Sequence, residues 1–141
     1  MLSKKQADFM RAILPRITIV EGCISSGKTY ICNHKAIEHI ANHCTQQGLI
    51  FFIGKTLGTL EKNVLRPMEE TYSGYFRYNL GTKQANLCGI RIDLEGCNDI
   101  RAENKIRGTT AQFIYGYELT LWNKEFMARR MGSLRTPHAV V

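Results

Sequence analysis

The sequence lacks the features that mark secreted or membrane-bound proteins. Its cysteines number five, an odd count, and no two have CxxC spacing. A disulfide framework is therefore not expected, and a reducing compartment fits better. No N-terminal stretch resembles a signal peptide, and no apolar run approaches the roughly 20 residues that a membrane helix requires. We therefore expect a cytoplasmic protein with no membrane partner.

Acidic residues are also scarce relative to basic ones. The chain has 12 Asp and Glu against 19 Lys and Arg, which gives a formal charge of +7. This balance favours polyanionic partners such as nucleic acid or nucleotide phosphates, although a basic surface that serves only solubility is the alternative. The length of 141 residues fits one domain with a real core.

Predicted strands and helices alternate along the chain. Helices are predicted at residues 3–14, 28–47, 57–68 and 123–131, and strands at residues 16–20, 49–53, 111–116 and 137–141. A hairpin is predicted at residues 84–95, turning near Cys88 and Gly89. The alternation indicates an α/β fold with a mostly parallel sheet and helices on both faces. Ligands in such a fold bind at the carboxyl ends of the strands.

Several local features refine this prediction. The apolar stripe of the second helix is predicted to comprise Ile37, Ile40, Ala41 and Cys44, with Gly48 as its C-terminal cap. The third helix should carry its apolar face on Leu57, Leu60, Val64 and Met68 and should kink or divide at Pro67. Residues 72–78 are predicted to be irregular, and residues 98–108 to form a loop with a short helix.

Residues 22–29 read GCISSGKT and match the phosphate-loop pattern GxxxxGK[ST] in full. Backbone N–H groups of such a loop and of the following helix form an anion-binding nest. Lys28 would reach the β- and γ-phosphates, and the Thr29 hydroxyl would ligate Mg²⁺. An accidental glycine-rich turn is the alternative, but the flanking strand and helix supply the expected context. The residues predicted to bind the nucleotide are Gly22, Ser25, Ser26, Gly27, Lys28 and Thr29.

Phosphate-loop ATPases also need carboxylates at the end of a neighbouring core strand, an Asp for the metal shell and often a following Glu that orients water. The strand at residues 111–116 is followed by Tyr117 and Glu118. Glu118 is the predicted catalytic carboxylate, although it could be a surface residue on an unrelated turn. Tyr117 stands where Asp is expected. Its phenol has a reference pKa of about 10 and cannot replace a carboxylate without cost.

Five segments, in order along nearly the whole chain, carry a resemblance to a known family. They are KKQADFM, RITIVEGCISSGKT, FFIGKTLGTLEKNVLRPMEE, GCNDIRAENKIRG and YELTLWNKEFMARRMGSLRTP. The chain resembles the N-terminal ATPase domain of phage terminase large subunits, of the PBSX-like kind. The phosphate loop is generic, whereas the segments ENKIRG and ELTLW are far more particular.

The resemblance implies a phosphate-loop ATPase domain over residues 1–141, belonging to a motor that uses ATP and Mg²⁺ to drive double-stranded phage DNA into a capsid. The implied partners are this DNA, the terminase small subunit, the portal of the procapsid and further copies in a ring. The implied location is the bacterial host cytoplasm. By the same resemblance Gln6 contacts adenine, Lys28 and Thr29 take the phosphate and metal roles, and Glu118 is catalytic.

Two departures from the family pattern change the expectation. Tyr117 replaces the Walker B Asp, and the chain stops before the coupling motif and the nuclease domain expected downstream. We therefore expect a sheet that is incomplete at the C-terminus and an impaired ATPase. A non-hydrolysing nucleotide-binding or assembly module, or an inert prophage remnant, stays open as a second class. A helicase-like ATPase or a small kinase is a third, but no second motor domain or acceptor site is evident.

Two arginines in the segment before the third core strand are further candidates. Arg101 and Arg107, with Lys105 between them, would touch ATP phosphates or serve an adjacent subunit as an arginine finger. The alternative is that they are solvated surface charges, since arginine suits phosphate but is also common on surfaces.

Overall fold

The computed structural model describes residues 2–13, 17–21, 27–97, 111–118 and 139–140, and for Ile17, Ala139 and Val140 the backbone alone. The helical segments are α1 (Lys4–Arg11), α2 (Lys28–His43), α3 (Leu57–Leu60), a π-helical turn (Glu61–Leu65) and α4 (Arg66–Thr71). The strands are β1 (Ile17–Thr18), β2 (Leu49–Gly54), β3 (Phe76–Asn79), β4 (Gln84–Leu87), β5 (Ile90–Gly96), β6 (Ala111–Gly116) and β7 (Ala139–Val140).

The described strands form one sheet in the order β1-β7-β6-β2-β5-β4-β3. The first five in this order run parallel, and β4 and β3 continue the sheet antiparallel. Side chains are buried on both faces of β2, with Ile50 and Phe52 on one face and Phe51 and Ile53 on the other. The predicted class, an α/β fold with a mostly parallel sheet, is confirmed.

Helix α1 begins where its sequence predicts and ends earlier. Ser3 and Gln6 form a capping box, in which the Gln6 amide N–H donates to Ser3 Oγ (3.2 Å) and the Ser3 amide N–H to Gln6 Oε1 (2.9 Å). The predicted end near residue 14 is wrong because Ala12 is already extended, with ψ of 141°. The Lys35 ammonium donates to the carbonyls of Met10 and Ala12, which stabilises this earlier end.

Helix α2 also ends before its predicted end, residue 47. Its last residue is His43, and the amide N–H of Cys44 closes the final turn on the Ile40 carbonyl (3.2 Å). The predicted apolar stripe is partly wrong, because Ile37 and Ile40 are buried whereas Ala41 is exposed.

The reason for a glycine at position 48 is not a helix cap. The Gln112 side chain lies across this segment and donates to the carbonyls of Thr45 (2.7 Å) and Gly48 (2.9 Å). A Cβ at Gly48 would lie 2.4 Å from Gln112 Cδ. A larger residue at position 48 would therefore displace the Gln112 side chain from these hydrogen bonds, and the sequence alone does not reveal this contact.

The helix over residues 57–71 divides as predicted near Pro67. A π-helical turn precedes α4, and Pro67 lies in the first turn of α4, where its missing N–H costs least. Leu60, Val64 and Met68 are buried, and Leu57 packs against the same core. The predicted apolar face is confirmed.

The hairpin is confirmed, including its turn. Strands β4 and β5 pair antiparallel, and Cys88 and Gly89 both have positive φ (51° and 87°), which matches the handedness of a tight hairpin turn. The prediction of an irregular segment at residues 72–78 is wrong in its second half, because β3 pairs with β4 there. Phe76 is fully buried in this pairing, a tertiary contact that local sequence does not disclose.

The predicted last strand is present as β7, which lies between β1 and β6 and pairs parallel with both. The predicted loop at residues 98–108 and helix at residues 123–131 lie outside the described residues. None of the helices in the described ranges is long and apolar enough to cross a membrane.

A buried polar contact joins β6 to α2. The Tyr115 hydroxyl donates to Asn33 Oδ1 (2.6 Å), and Asn33 Nδ2 in turn donates to the Asn63 carbonyl in the π-helical turn (3.4 Å). Burial raises the pKa of Tyr115 well above its usual range, so this hydroxyl is protonated and available as a donor. The contact fixes the helix that starts at the phosphate loop relative to the strand that precedes Glu118.

Replacing Tyr115 with Phe is expected to lower the free energy of unfolding by about 1–3 kcal/mol, because Asn33 Oδ1 stays buried without its donor. Urea unfolding followed by circular dichroism measures the change. The matched control is Tyr75→Phe, since Tyr75 is 66% exposed, and it should leave stability nearly unchanged. Equal stabilities of the two variants would contradict the assigned role of the contact.

Candidate functional site

The described end of the predicted phosphate loop is Gly27, at the start of α2. Gly27 adopts the left-handed conformation (φ 76°, ψ 13°) and is the N-cap of α2, which begins at Lys28. Residues with a Cβ adopt this conformation only at a cost, so glycine is needed here. The first turn of α2 contains no acidic residue, and its amide N–H groups and positive dipole end favour an anion. The predicted Gly22, Ser25 and Ser26 lie outside the described residues.

Helix α1 brings Gln6 to this turn. A Cβ on Gly27 would lie 2.8 Å from Gln6 Nε2, so the amide of Gln6 lies directly against the end of the loop. The capping box holds the Gln6 Oε1 on the Ser3 N–H, which leaves Nε2 directed at Gly27. The structure therefore brings Gln6 together with Gly27, and its contact with adenine stays a prediction.

A cleft of about 510 Å³ opens between α1, the segment after β1 and the start of α2. Four apolar residues and six polar or charged residues line it, so it combines apolar surface with groups that can form hydrogen bonds with a ligand. The lining residues include Gln6, Phe9, Val20, Glu21, Lys28 and Ile31. Phe9, Val20 and Glu21 were not singled out from the sequence. The spacing of Phe9, one helical turn after Gln6, is a signal that could have found it.

The residue after Lys28, Thr29, contacts the segment that follows β6 instead. The Tyr117 hydroxyl forms a hydrogen bond with the Thr29 hydroxyl and donates to Glu118 Oε1 (3.2 Å). The Tyr117 amide N–H donates to the Ile53 carbonyl of β2 (2.8 Å), which fixes this segment to the sheet edge. The structure thus brings Thr29 and Glu118 to the same place, with the Tyr117 phenol between them.

The electrostatics keep Tyr117 neutral. Burial raises its pKa, and the charge of Glu118 and its hydrogen bond raise it further, whereas the hydrogen bond with Thr29 lowers it. The phenol is therefore protonated near neutral pH. It supplies no negative charge beside Thr29.

Glu118 has a strained backbone, with φ of 54° although it is not glycine. A non-glycine residue in this region is uncommon, and such outliers cluster at functional sites. Its side chain is exposed at the carboxyl end of β6, where the parallel sheet is expected to bind ligands. Lys83 and Cys88 have nearly the same φ (53° and 51°), so this conformation does not separate a catalytic Glu118 from a residue of a surface turn, and the catalytic role stays a prediction.

The described residues do not form a complete site for Mg²⁺. Magnesium in nucleotide sites is bound by one or two carboxylates together with phosphates. Thr29 offers one neutral oxygen, the Tyr117 phenol beside it is uncharged, and the Glu118 carboxylate accepts a hydrogen bond from Tyr117. Within the described ranges, no three His, Cys, Asp or Glu side chains are grouped to hold a metal ion. Arg101 and Arg107, the predicted arginine fingers, lie outside these ranges, so their roles stay predictions.

No protein-family model and no curated protein sequence matches the chain. Solved structures of phage large terminases share its fold. The large terminase of a thermophilic bacteriophage matches with a TM-score of 0.82 and 21% identity, over 98% of this chain and 37% of that one. The complex of the same terminase with ADP matches with a TM-score of 0.77 and 21% identity, over 99% and 37%.

The large terminase ATPase domain of Thermus phage P74-26 matches more distantly. Its TM-score is 0.56 at 13% identity, over 99% of this chain and 64% of that one. The chain thus spans a little over a third of the length of the first of these terminases. At these identities the likeness shows a shared architecture, and the chain has the fold of a phage large terminase ATPase domain.

Proposed function

We propose that this chain is the nucleotide-binding part of a terminase large subunit, a motor that packages double-stranded DNA. The observation that carries the proposal is that three elements meet at the carboxyl end of the parallel strands. Gly27 and Lys28 begin α2, Gln6 lies against Gly27, and Glu118 follows β6 beside Thr29. The fold shared with a phage large terminase whose solved structures contain ADP and ATP-γ-S supports it.

In this proposal the triphosphate lies along the first turn of α2, with Lys28 at the β- and γ-phosphates. Gln6 contacts the adenine base, and Glu118 orients the attacking water. Gly22, Ser25 and Ser26 complete the phosphate loop. Tyr117 reduces hydrolysis because it replaces a metal-binding carboxylate with a neutral phenol.

The partners proposed for the whole motor follow from the same assignment. They are phage DNA, a terminase small subunit, the portal of the capsid and further copies in a ring. The formal charge of +7 supports a polyanionic partner. Salt-sensitive binding of the chain to double-stranded DNA would support this part of the proposal.

The first test is nucleotide binding. A labelled ATP analogue is expected to bind both with and without Mg²⁺, and adding the ion should change the affinity by less than about tenfold, because a neutral phenol replaces the expected Asp carboxylate at position 117. Titration calorimetry measures both affinities. AMP is the matched ligand that lacks the β- and γ-phosphates and should bind much more weakly. Absence of ATP binding under both conditions would overturn the proposal.

Tyr117 favours a second candidate function, a nucleotide-binding module that does not hydrolyse. The phenol forms a hydrogen bond with Thr29 and donates to Glu118. It therefore occupies the proposed metal ligand and the proposed catalytic carboxylate, the two groups that metal-assisted hydrolysis would use. In this case the chain would bind ATP as an assembly signal without turnover. Turnover measurements on Tyr117→Asp and Tyr117→Phe separate the two candidates.

A further inference from the structure

A buried lysine lies outside the groups to which the proposed function gives a role. Lys35 is on α2, two turns after Lys28, and is only 4% exposed. Lysine is almost never buried so completely unless it is paired. Lys35 lies one turn after the buried Ile31, on the apolar face of α2. A hydrophobic residue at this position would be buried without the cost of desolvating a charge.

The contacts of Lys35 reach across to another helix. Its Nζ donates to the carbonyls of Met10 (2.8 Å) and Ala12 (2.9 Å) at the end of α1. The same Nζ lies 3.2 Å from Glu38 Oε2 on its own helix. The ammonium thus binds carbonyl groups that the end of α1 leaves without helical partners, and it adds a favourable charge at the negative end of the helix.

Within the described ranges, the other contacts of helix α1 with the fold involve side chains that are only partly buried. The helix is 8 residues long, and none of its residues is fully buried. Phe9 and Met10 only partly pack against the core. A helix of this length is not stable by itself in water, so its position depends strongly on the polar contacts at its C-terminal end.

The position of α1 matters because it carries one wall of the cleft. Gln6 and Phe9 line the cleft opposite Lys28, and Gln6 Nε2 lies against Gly27. A small displacement of α1 would move both side chains relative to the phosphate loop. It would leave the first turn of α2 in place.

We propose that Lys35 is a positioning residue that holds α1 against α2 and so sets the nucleoside-binding wall of the cleft. This inference rests on the proposed nucleotide-binding function. Lys35 acts through Gln6 and Phe9 and does not touch the nucleotide. Its loss reduces recognition of the base and ribose while phosphate binding by Lys28 persists.

The test compares the affinities for ATP and for inorganic tripolyphosphate in the wild type and in Lys35→Met. We expect the variant to lose about tenfold in ATP affinity and less than about twofold in tripolyphosphate affinity. Lys62→Met is the matched control, because Lys62 is exposed and its loss changes the net charge equally. It should change neither affinity. Lys35→Arg, which keeps the charge and the donors, should restore part of the ATP affinity.

A double-mutant cycle with Gln6→Ala identifies the route of the effect. If Lys35 acts through α1, the Gln6→Ala change should cost less in the Lys35→Met background than in the wild type. Additive losses would overturn the inference. Should Lys35→Met not fold, Glu38→Gln removes one partner of the ammonium and is expected to shift the ratio of the two affinities in the same direction by a smaller factor.

Amide hydrogen exchange without nucleotide provides a readout that is independent of the proposed function. Exchange in α1 should be faster in Lys35→Met than in the wild type, with exchange in α2 unchanged. A wild type that binds no ATP would overturn the proposed function even if α1 exchange responds as expected. ATP binding by the wild type, with an unchanged ratio of the ATP and tripolyphosphate affinities in Lys35→Met, would overturn this inference alone.

Discussion

Lys28→Met is expected to weaken ATP binding by about 10- to 150-fold, since a hydrogen bond to a charged group contributes roughly 1.5–3 kcal/mol. Lys28 is half-buried at the first turn of α2 and lines the cleft together with Gln6. Methionine keeps a similar length and the helical propensity but supplies no charge and no donor. The loss therefore reports the contact with phosphate. Titration calorimetry with ATP measures it.

The control for Lys28→Met is Lys62→Met, which removes the same charge from an exposed position of the π-helical turn. Its ATP affinity should equal that of the wild type. Circular dichroism should show intact folds for both variants. A folded Lys28→Met protein that binds ATP as tightly as the wild type would remove the basis for placing the triphosphate on α2.

Tyr117→Asp is expected to make nucleotide binding dependent on Mg²⁺. The substitution places an ionised carboxylate at the end of β6, where the phenol now contacts Thr29 and Glu118. Magnesium binds through carboxylates together with phosphates. Adding Mg²⁺ should therefore strengthen ATP binding by at least about tenfold, and phosphate release should become measurable in a coupled assay.

Tyr117→Phe is the matched control for this experiment. It removes the hydroxyl, and with it the hydrogen bonds to Thr29 and Glu118, but adds no carboxylate. Binding should then stay as insensitive to Mg²⁺ as in the wild type. If the folded Asp variant binds ATP with Mg²⁺ no better than the Phe variant, Tyr117 does not occupy a metal position. If ATP binding by the Asp variant becomes dependent on Mg²⁺ but the variant shows no turnover, the chain is better described as a non-hydrolysing nucleotide-binding module.

The parts of the fold that were predicted correctly are those that local chemistry decides. The hairpin follows from alternating apolar residues on either side of Gly89, which accepts positive φ without cost, and β6 follows from a short apolar run between polar segments. The helix ends were misplaced because distant side chains decide them. Gln112 binds the segment after α2, and Lys35 binds the end of α1. A single sequence carries no signal for contacts between residues so far apart.

The same division holds for the candidate site. The roles proposed for Lys28 and Thr29 rest on a contiguous phosphate-loop pattern and stay predictions, whereas the left-handed backbone of Gly27 agrees with that pattern. The position of Tyr117 after β6 was also predictable. Its hydrogen bond with Thr29 and the approach of Gln6 to Gly27 were not, because each joins elements that only the tertiary fold brings together.

The order of the strands also constrains when the site can assemble. Among the described strands, β1 joins the sheet only through β7, in which Ile17 pairs with Ala139 and Thr18 with Val140. Contacts between such distant parts of a chain close slowly. We therefore expect that, during synthesis, β1 and the edge of β6 that faces β7 stay unpaired until residues 139–140 insert between them. Until then, β1 has no fixed position relative to β6. The unpaired edges of both strands can also pair with another chain.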